Sequence, residues 1–232
     1  DLPPRVVQPW LLPTLFARLE AEPDRYLAEL RPAAALFIKF AGIDYDADPA
    51  AAARLDAFVR WVQTILAQYE GALIQLTTGD KGSYLYVAFG APVTHDDDVL
   101  RALAAGLALL QPPALGIADL RAGLAQGMMR VGPYGSPVRR TYGVIGDATN
   151  LGARLMMRAA PGQLLLSAEA AALVAGHYRL EDLGLHQFKG KATPQQVYAA
   201  TGARVQPLGG VAALYAAPLV GRSRELAIVE DE

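Results

Sequence analysis

The stretch Arg139 to Ser167, RRTYGVIGDATNLGARLMMRAAPGQLLLS, decides how the rest of the chain is read. It leaves an extended arm, turns at Gly146 and Asp147, enters a short amphipathic helix and ends in an apolar strand. Asn150 and Arg154 stand four residues apart, so a helix places both on one face while Leu151 and Leu155 point elsewhere. An amide beside a planar guanidinium can hold a ribose oxygen and an anionic phosphorus centre together. The plain alternative for the same spacing is a solvated helix face.

Upstream, Ala33 to Ile43 is a nearly continuous apolar run, which suits a buried strand. Asp48 and Pro49 read as cap and first residue of a helix with Leu55, Phe58, Val62, Leu66 and Tyr69 on one stripe, ending at Gly71. Ala72 to Thr78 and Ser83 to Phe89 form a hairpin around Gly79 to Gly82. Thr94 to Asp98 supplies a cap and first-turn acids for a second helix, which Pro112 and Pro113 stop. Three consecutive acids there fit capping chemistry better than a metal cluster. With the strand Arg121 to Val131, the order becomes βαββαβ, the ferredoxin-like unit: an α+β fold with an antiparallel sheet and helices on one face.

Residues 1–32 read as a linker with a helical segment, 33–201 as one domain, and 202–232 as a second linker. The start at Asp1 and the acidic tail lead to the expectation of a piece of a longer protein. At 232 residues and 53% hydrophobic composition the chain can fill a sizeable core, while a net charge of −2 argues against nucleic acid as a partner. No apolar run is long enough to span a membrane, and without cysteine there are no disulfides or thiolate metal sites.

Four ordered segments carry a resemblance to the class III nucleotidyl cyclases. They are the hairpin GDKGSYLYVAFGAP at Gly79–Pro92, RAGLAQGMMRVGPYG at Arg121–Gly135, the pattern Y-x-x-I-G-D-x-x-N-L-x-A-R-L ending in Leu155, and FKGK at Phe188–Lys191. The resemblance implies that Asn150 and Arg154 are the catalytic pair that meets the transition state, and that Lys189 binds phosphate. It also implies Mg2+ or Mn2+, held in the family by two Asp residues. Here the first of those positions is Lys39, and an ammonium has no lone pair for a cation. The second would fall on Asp80, better read as a turn residue. Base contacts fall on Gln75 or Leu76 and on Gly143, which has no side chain to offer.

Within the family the chain resembles the second cyclase domain of soluble, bicarbonate-responsive adenylyl cyclases and their bacterial multidomain relatives. This implies a cytoplasmic, C2-like half-site that converts ATP to cyclic AMP and pyrophosphate only with a metal-bearing cyclase domain in the same chain or another subunit. Metal ions would come through that partner alone, and a homodimer would be inactive. LVGRSREL at Leu219–Leu226 is similar to the entry of an ATPase module. The alternative is a non-catalytic pseudo-cyclase that dimerises or senses a ligand to regulate such a downstream region.

Overall fold

The computed structural model describes residues 3–21, 28–79, 82–136 and 138–203. Asp80, most of the second linker and the LVGRSREL segment lie outside them. The chain opens with α1 (Pro4–Val7), a 3-10 turn at Gln8–Trp10, and α2 (Pro13–Ala21). There follow β1 (Glu29–Ala41), α3 (Ala51–Tyr69), β2 (Ala72–Gly79), β3 (Gly82–Phe89), α4 (Asp98–Leu109) and β4 (Ala118–Gly135). The C-terminal half adds β5 (Arg140–Ile145), α5 (Asp147–Arg158), β6 (Leu164–Ser167), α6 (Ala168–Val174), β7 (Tyr178–His186) and β8 (Gln195–Ala203).

All eight strands form one sheet in the order β2-β3-β1-β4-β6-β8-β7, with β5 paired to the far end of β4. The α+β, ferredoxin-like expectation describes this core, with two refinements. The β4–β6 pair is parallel, so the sheet is mixed. Helices also lie on both faces. Alternation along β1 sends Ala34, Leu36, Ile38 and Phe40 into a core with Phe58 and Val62 of α3 and Leu103 of α4. Ala33, Ala35 and Phe37 meet Leu151 and Leu155 of α5 on the other side. A stretch of strand covered twice has no polar face to show, and Ala33–Ile38 of β1 is all apolar for that reason.

Several boundaries differ from the sequence expectation, each for a local reason. β1 begins at Glu29, because residues 29–32 already pair with Val131 back to Met128 of β4. The linker of 1–32 therefore ends sooner. In its helical segment Leu15 is buried, whereas Trp10 is 86% exposed. Helix α3 starts at Ala51 and not at Pro49, since Asp48 is otherwise engaged: its carboxylate accepts the Ala50 N–H at 2.8 Å and pairs with Arg54 at 2.7 Å. Glu70, in the left-handed region at φ 57°, ends that helix. Gly71 is demanded by packing, because a Cβ there would lie 2.5 Å from the Phe89 ring. At α4, Asp97 is the N-cap residue but makes no side-chain cap; it pairs with Arg101 at 2.6 Å. Asp98 accepts the His95 N–H at 2.9 Å and so closes the preceding turn.

Candidate functional site

The site is built around α5, and two glycines fix where that helix lies. A Cβ on Gly123 of β4 would collide with the Met156 nitrogen and the Gly152 carbonyl of α5, so the helix backbone rests directly on the strand. Gly152 does the same toward β1, where an added Cβ would sit 2.9 Å from the Ala35 carbonyl oxygen. Ala148, Leu151, Leu155 and Met156 are buried against the sheet. The opposite face then carries Asn150, exposed, and Arg154, half-buried.

A second element closes on that face. The FKGK turn is anchored by Phe188, 7% exposed in the α5-side core. Its backbone is tightened by Lys191 N–H donating to the Phe188 carbonyl at 3.1 Å, and by Gln187 Nε2 donating to the Lys191 carbonyl at 2.8 Å. The Lys191 ammonium pairs with the Asp147 carboxylate, which joins the turn to the first turn of α5. Gly190, at φ 75°, faces Arg154 so closely that an added Cβ would lie 3.3 Å from its Nη2. Lys189, the preceding residue, is exposed. The fold thus brings Arg154 and the lysine turn together across roughly 35 residues of sequence, on the face that also bears Asn150.

Arg154 is the telling group. Its Nη1 is buried and has no hydrogen-bond partner among the described residues. A buried guanidinium N–H left unpaired is costly, and the natural remedy is an oxyanion brought by a ligand.

The arm that leads into α5 is held by Tyr86 of β3. Its hydroxyl donates to the Val144 carbonyl at 2.7 Å, and its ring stacks on Phe37 with centroids 4.6 Å apart. Burial pushes the phenol up to about 12, so it stays protonated and keeps donating. Thr149 Oγ1, on the first turn of α5, lies 3.5 Å from both the Tyr86 hydroxyl and the Val144 carbonyl.

Other sequence candidates sit elsewhere on the fold. Gln75 is exposed and follows an irregularity in the β2–β3 pairing. Gly143 is buried under Tyr134, whose ring occupies the place of any Cβ. Lys39 is half-buried on the α5 side of the sheet, directly across from Tyr84 of β3 and Arg121 of β4. An ammonium with a guanidinium on the neighbouring strand repels a divalent cation. The Lys39 position therefore does not fit a divalent metal. Sequence reasoning missed Lys191 and Asp147, although an acid in the first turn of α5 and a second lysine in FKGK were the available signals.

No family model matches the chain. By sequence it is 27% identical to adenylate cyclase type 10 of Mus musculus over 212 residues, covering 87% of this chain and 13% of that protein. The Homo sapiens counterpart is 28% identical over 213 residues, with the same shares. The chain thus spans about 13% of the length of the curated relatives it matches. Among solved structures it is similar to the adenylyl cyclase CyaB from P. aeruginosa, with a TM-score of 0.68, 22% identity, and coverage of 78% of this chain and 99% of that one. It is also similar to the guanylate cyclase domain of RhGC from Catenaria anguillulae in complex with GTP, at TM-score 0.67 and 20% identity, covering 76% of this chain and all of the other.

Proposed function

We propose that this chain, a class III nucleotidyl cyclase domain by its fold, is the metal-free half of a paired adenylyl cyclase and turns ATP into cyclic AMP and pyrophosphate only beside a metal-bearing partner domain. The single observation that carries this reading is the buried, unpartnered Nη1 of Arg154 on the face shared with Asn150 and the lysine turn. Similarity to adenylate cyclase type 10 supports ATP over GTP.

In the reaction the ribose 3′ oxygen forms a bond to the α-phosphorus while the bond from that phosphorus to the bridging oxygen breaks. Pyrophosphate leaves, and the hydroxyl proton passes to a base. Arg154 supplies a fixed positive charge and N–H donors where negative charge grows on the α-phosphoryl oxygens. Asn150, one turn earlier, holds the ribose so that its 3′ oxygen faces the phosphorus. Lys189 meets the departing polyphosphate as a mobile point charge. Lys191 works through the turn itself, tying Gly190 against Arg154 by its pair with Asp147. Carboxylates of the partner domain would hold Mg2+ or Mn2+, which when bound would supply Lewis-acid activation of the nucleophile and the phosphates.

A complementation assay tests this. The chain is mixed with a class III domain that keeps its metal carboxylates but has lost its own Asn and Arg, and cyclic AMP is measured. Activity should appear in the mixture alone, and Arg154→Ala should lower it about 10²- to 10³-fold. Turnover by this chain alone with Mg2+ or Mn2+ would defeat the proposal. Lys39 at the metal position, and Gly143 under Tyr134, favour the second reading, a pseudo-cyclase that dimerises or senses a ligand. Complemented activity unchanged by Arg154→Ala decides for it.

A further inference from the structure

Helix α5 starts without a side-chain cap. Its N-cap residue is Gly146, which has no side chain to satisfy the free N–H groups of the first turn. Asn150 is the fourth residue of the helix and belongs to that turn. Arg154 lies one turn further on, beside the stretch that Gly123 and Gly152 seat directly on β4 and β1. The two residues are therefore held by different means: Arg154 by backbone packing, Asn150 by whatever restrains the first turn from outside.

Two contacts supply that restraint. One is the pair between Lys191 and Asp147, whose carboxylate is 73% exposed, and an ion pair so open to water holds weakly. The other is Tyr86, a buried residue of β3, two strands away from β4 in the sheet. Its hydroxyl donates to the Val144 carbonyl at 2.7 Å, two residues before the cap, and lies 3.5 Å from Oγ1 of Thr149, the residue before Asn150. Thr149 closes the corner by donating its N–H to the Gly146 carbonyl at 3.2 Å. The Tyr86 ring lies flat on Phe37, with 3° between the planes, so the hydroxyl is aimed by a rigid support. A phenylalanine would fill the same core; only the hydroxyl reaches the corner.

We propose that Tyr86 is a positioning residue for Asn150. Through the Val144 carbonyl and Thr149 it fixes the first turn of α5, and with it the amide, while Arg154 keeps its own support. The inference rests on the role given to Asn150 under the proposed function, and it makes one residue on a distant strand responsible for one member of the pair.

The test joins a measurement that needs no activity to one that does. In Tyr86→Phe, backbone 15N order parameters at Thr149, Asn150 and Leu151 should fall from about 0.85 to about 0.6 or lower, while those at Leu155 and Met156 hold. In the complementation assay at saturating partner domain, the same variant should lose about 10- to 10²-fold in kcat with KM within about twofold, because binding through Arg154 is untouched. In an Asn150→Ala background the added Tyr86→Phe should change kcat by less than about twofold, since the group it positions is gone. Thr149→Val should reproduce the kcat loss, and Thr149→Ser, which keeps the hydroxyl, should restore it. Order parameters that stay level, or that fall along the whole of α5, overturn the inference. So does a loss carried by KM, or one that persists in full in the Asn150→Ala background. Loosening confined to the first turn, in a chain whose parent shows no complemented activity, counts against the proposed function and leaves Tyr86 as the restraint on that turn.

Discussion

Gly123→Ala puts the architecture of the site under direct strain. The added Cβ would fall well inside 3.0 Å of both the Met156 nitrogen and the Gly152 carbonyl oxygen, which are backbone atoms and cannot rotate away. Restoring ordinary contact requires α5 to lift from β4 by about 1 Å, with overpacking of this kind costing about 2–3 kcal/mol. For a domain of this size that is a fall in melting temperature of about 5–10 °C. The same displacement carries Asn150 and Arg154 with the helix, and a misplacement of about 1 Å at a reacting centre costs about 10²-fold in rate. Gly176→Ala is the control, because nothing lies within 4 Å of its added Cβ, and it should stay within about 0.5 kcal/mol of the parent. Differential scanning calorimetry on both variants, followed by the complementation assay, reads stability and positioning separately. Equal melting of Gly123→Ala and Gly176→Ala would refute the claim that backbone contact sets the height of α5.

Other expected outcomes follow from single contacts. Tyr86→Phe removes the hydroxyl that donates to the Val144 carbonyl and should cost about 1–2 kcal/mol in urea unfolding at pH 8. Because burial raises the phenol from 10.0 to about 12, its share of stability is complete below pH 10 and is lost as pH climbs toward 12; the parent should weaken over that window more steeply than the variant. Arg54 donates to the carbonyls of Gly42 at 2.8 Å and Gly116 at 2.7 Å while pairing with Asp48, which clamps the loops after β1 and before β4. Arg54→Met should lower stability by about 2 kcal/mol, measured by chemical denaturation. Lys191→Gln and Asp147→Asn should each weaken phosphate binding at Arg154 by a few-fold, and the double variant should be no worse than either single one. Full additivity in that cycle would show that their ion pair does not position the turn.

The sequence by itself determined the element order, the α+β fold and the placement of Asn150 and Arg154 on one helical face, because periodicity of 2 and 3.6 is a property of the local chain. It also established that Lys39 cannot hold a divalent cation, since that is chemistry intrinsic to an ammonium. Boundaries slipped where a side chain that looks like a cap was claimed by a more distant partner, as Asp48 is by Arg54. Only the tertiary structure could put α5 on the second face of the sheet, press Gly190 against Arg154, and join Lys191 to Asp147 across 44 residues. It alone left Arg154 Nη1, Arg121 Nε and Thr77 Oγ1 buried without partners among the described residues. Satisfaction of a polar group depends on what folds over it, and that is decided by packing between segments far apart in the chain.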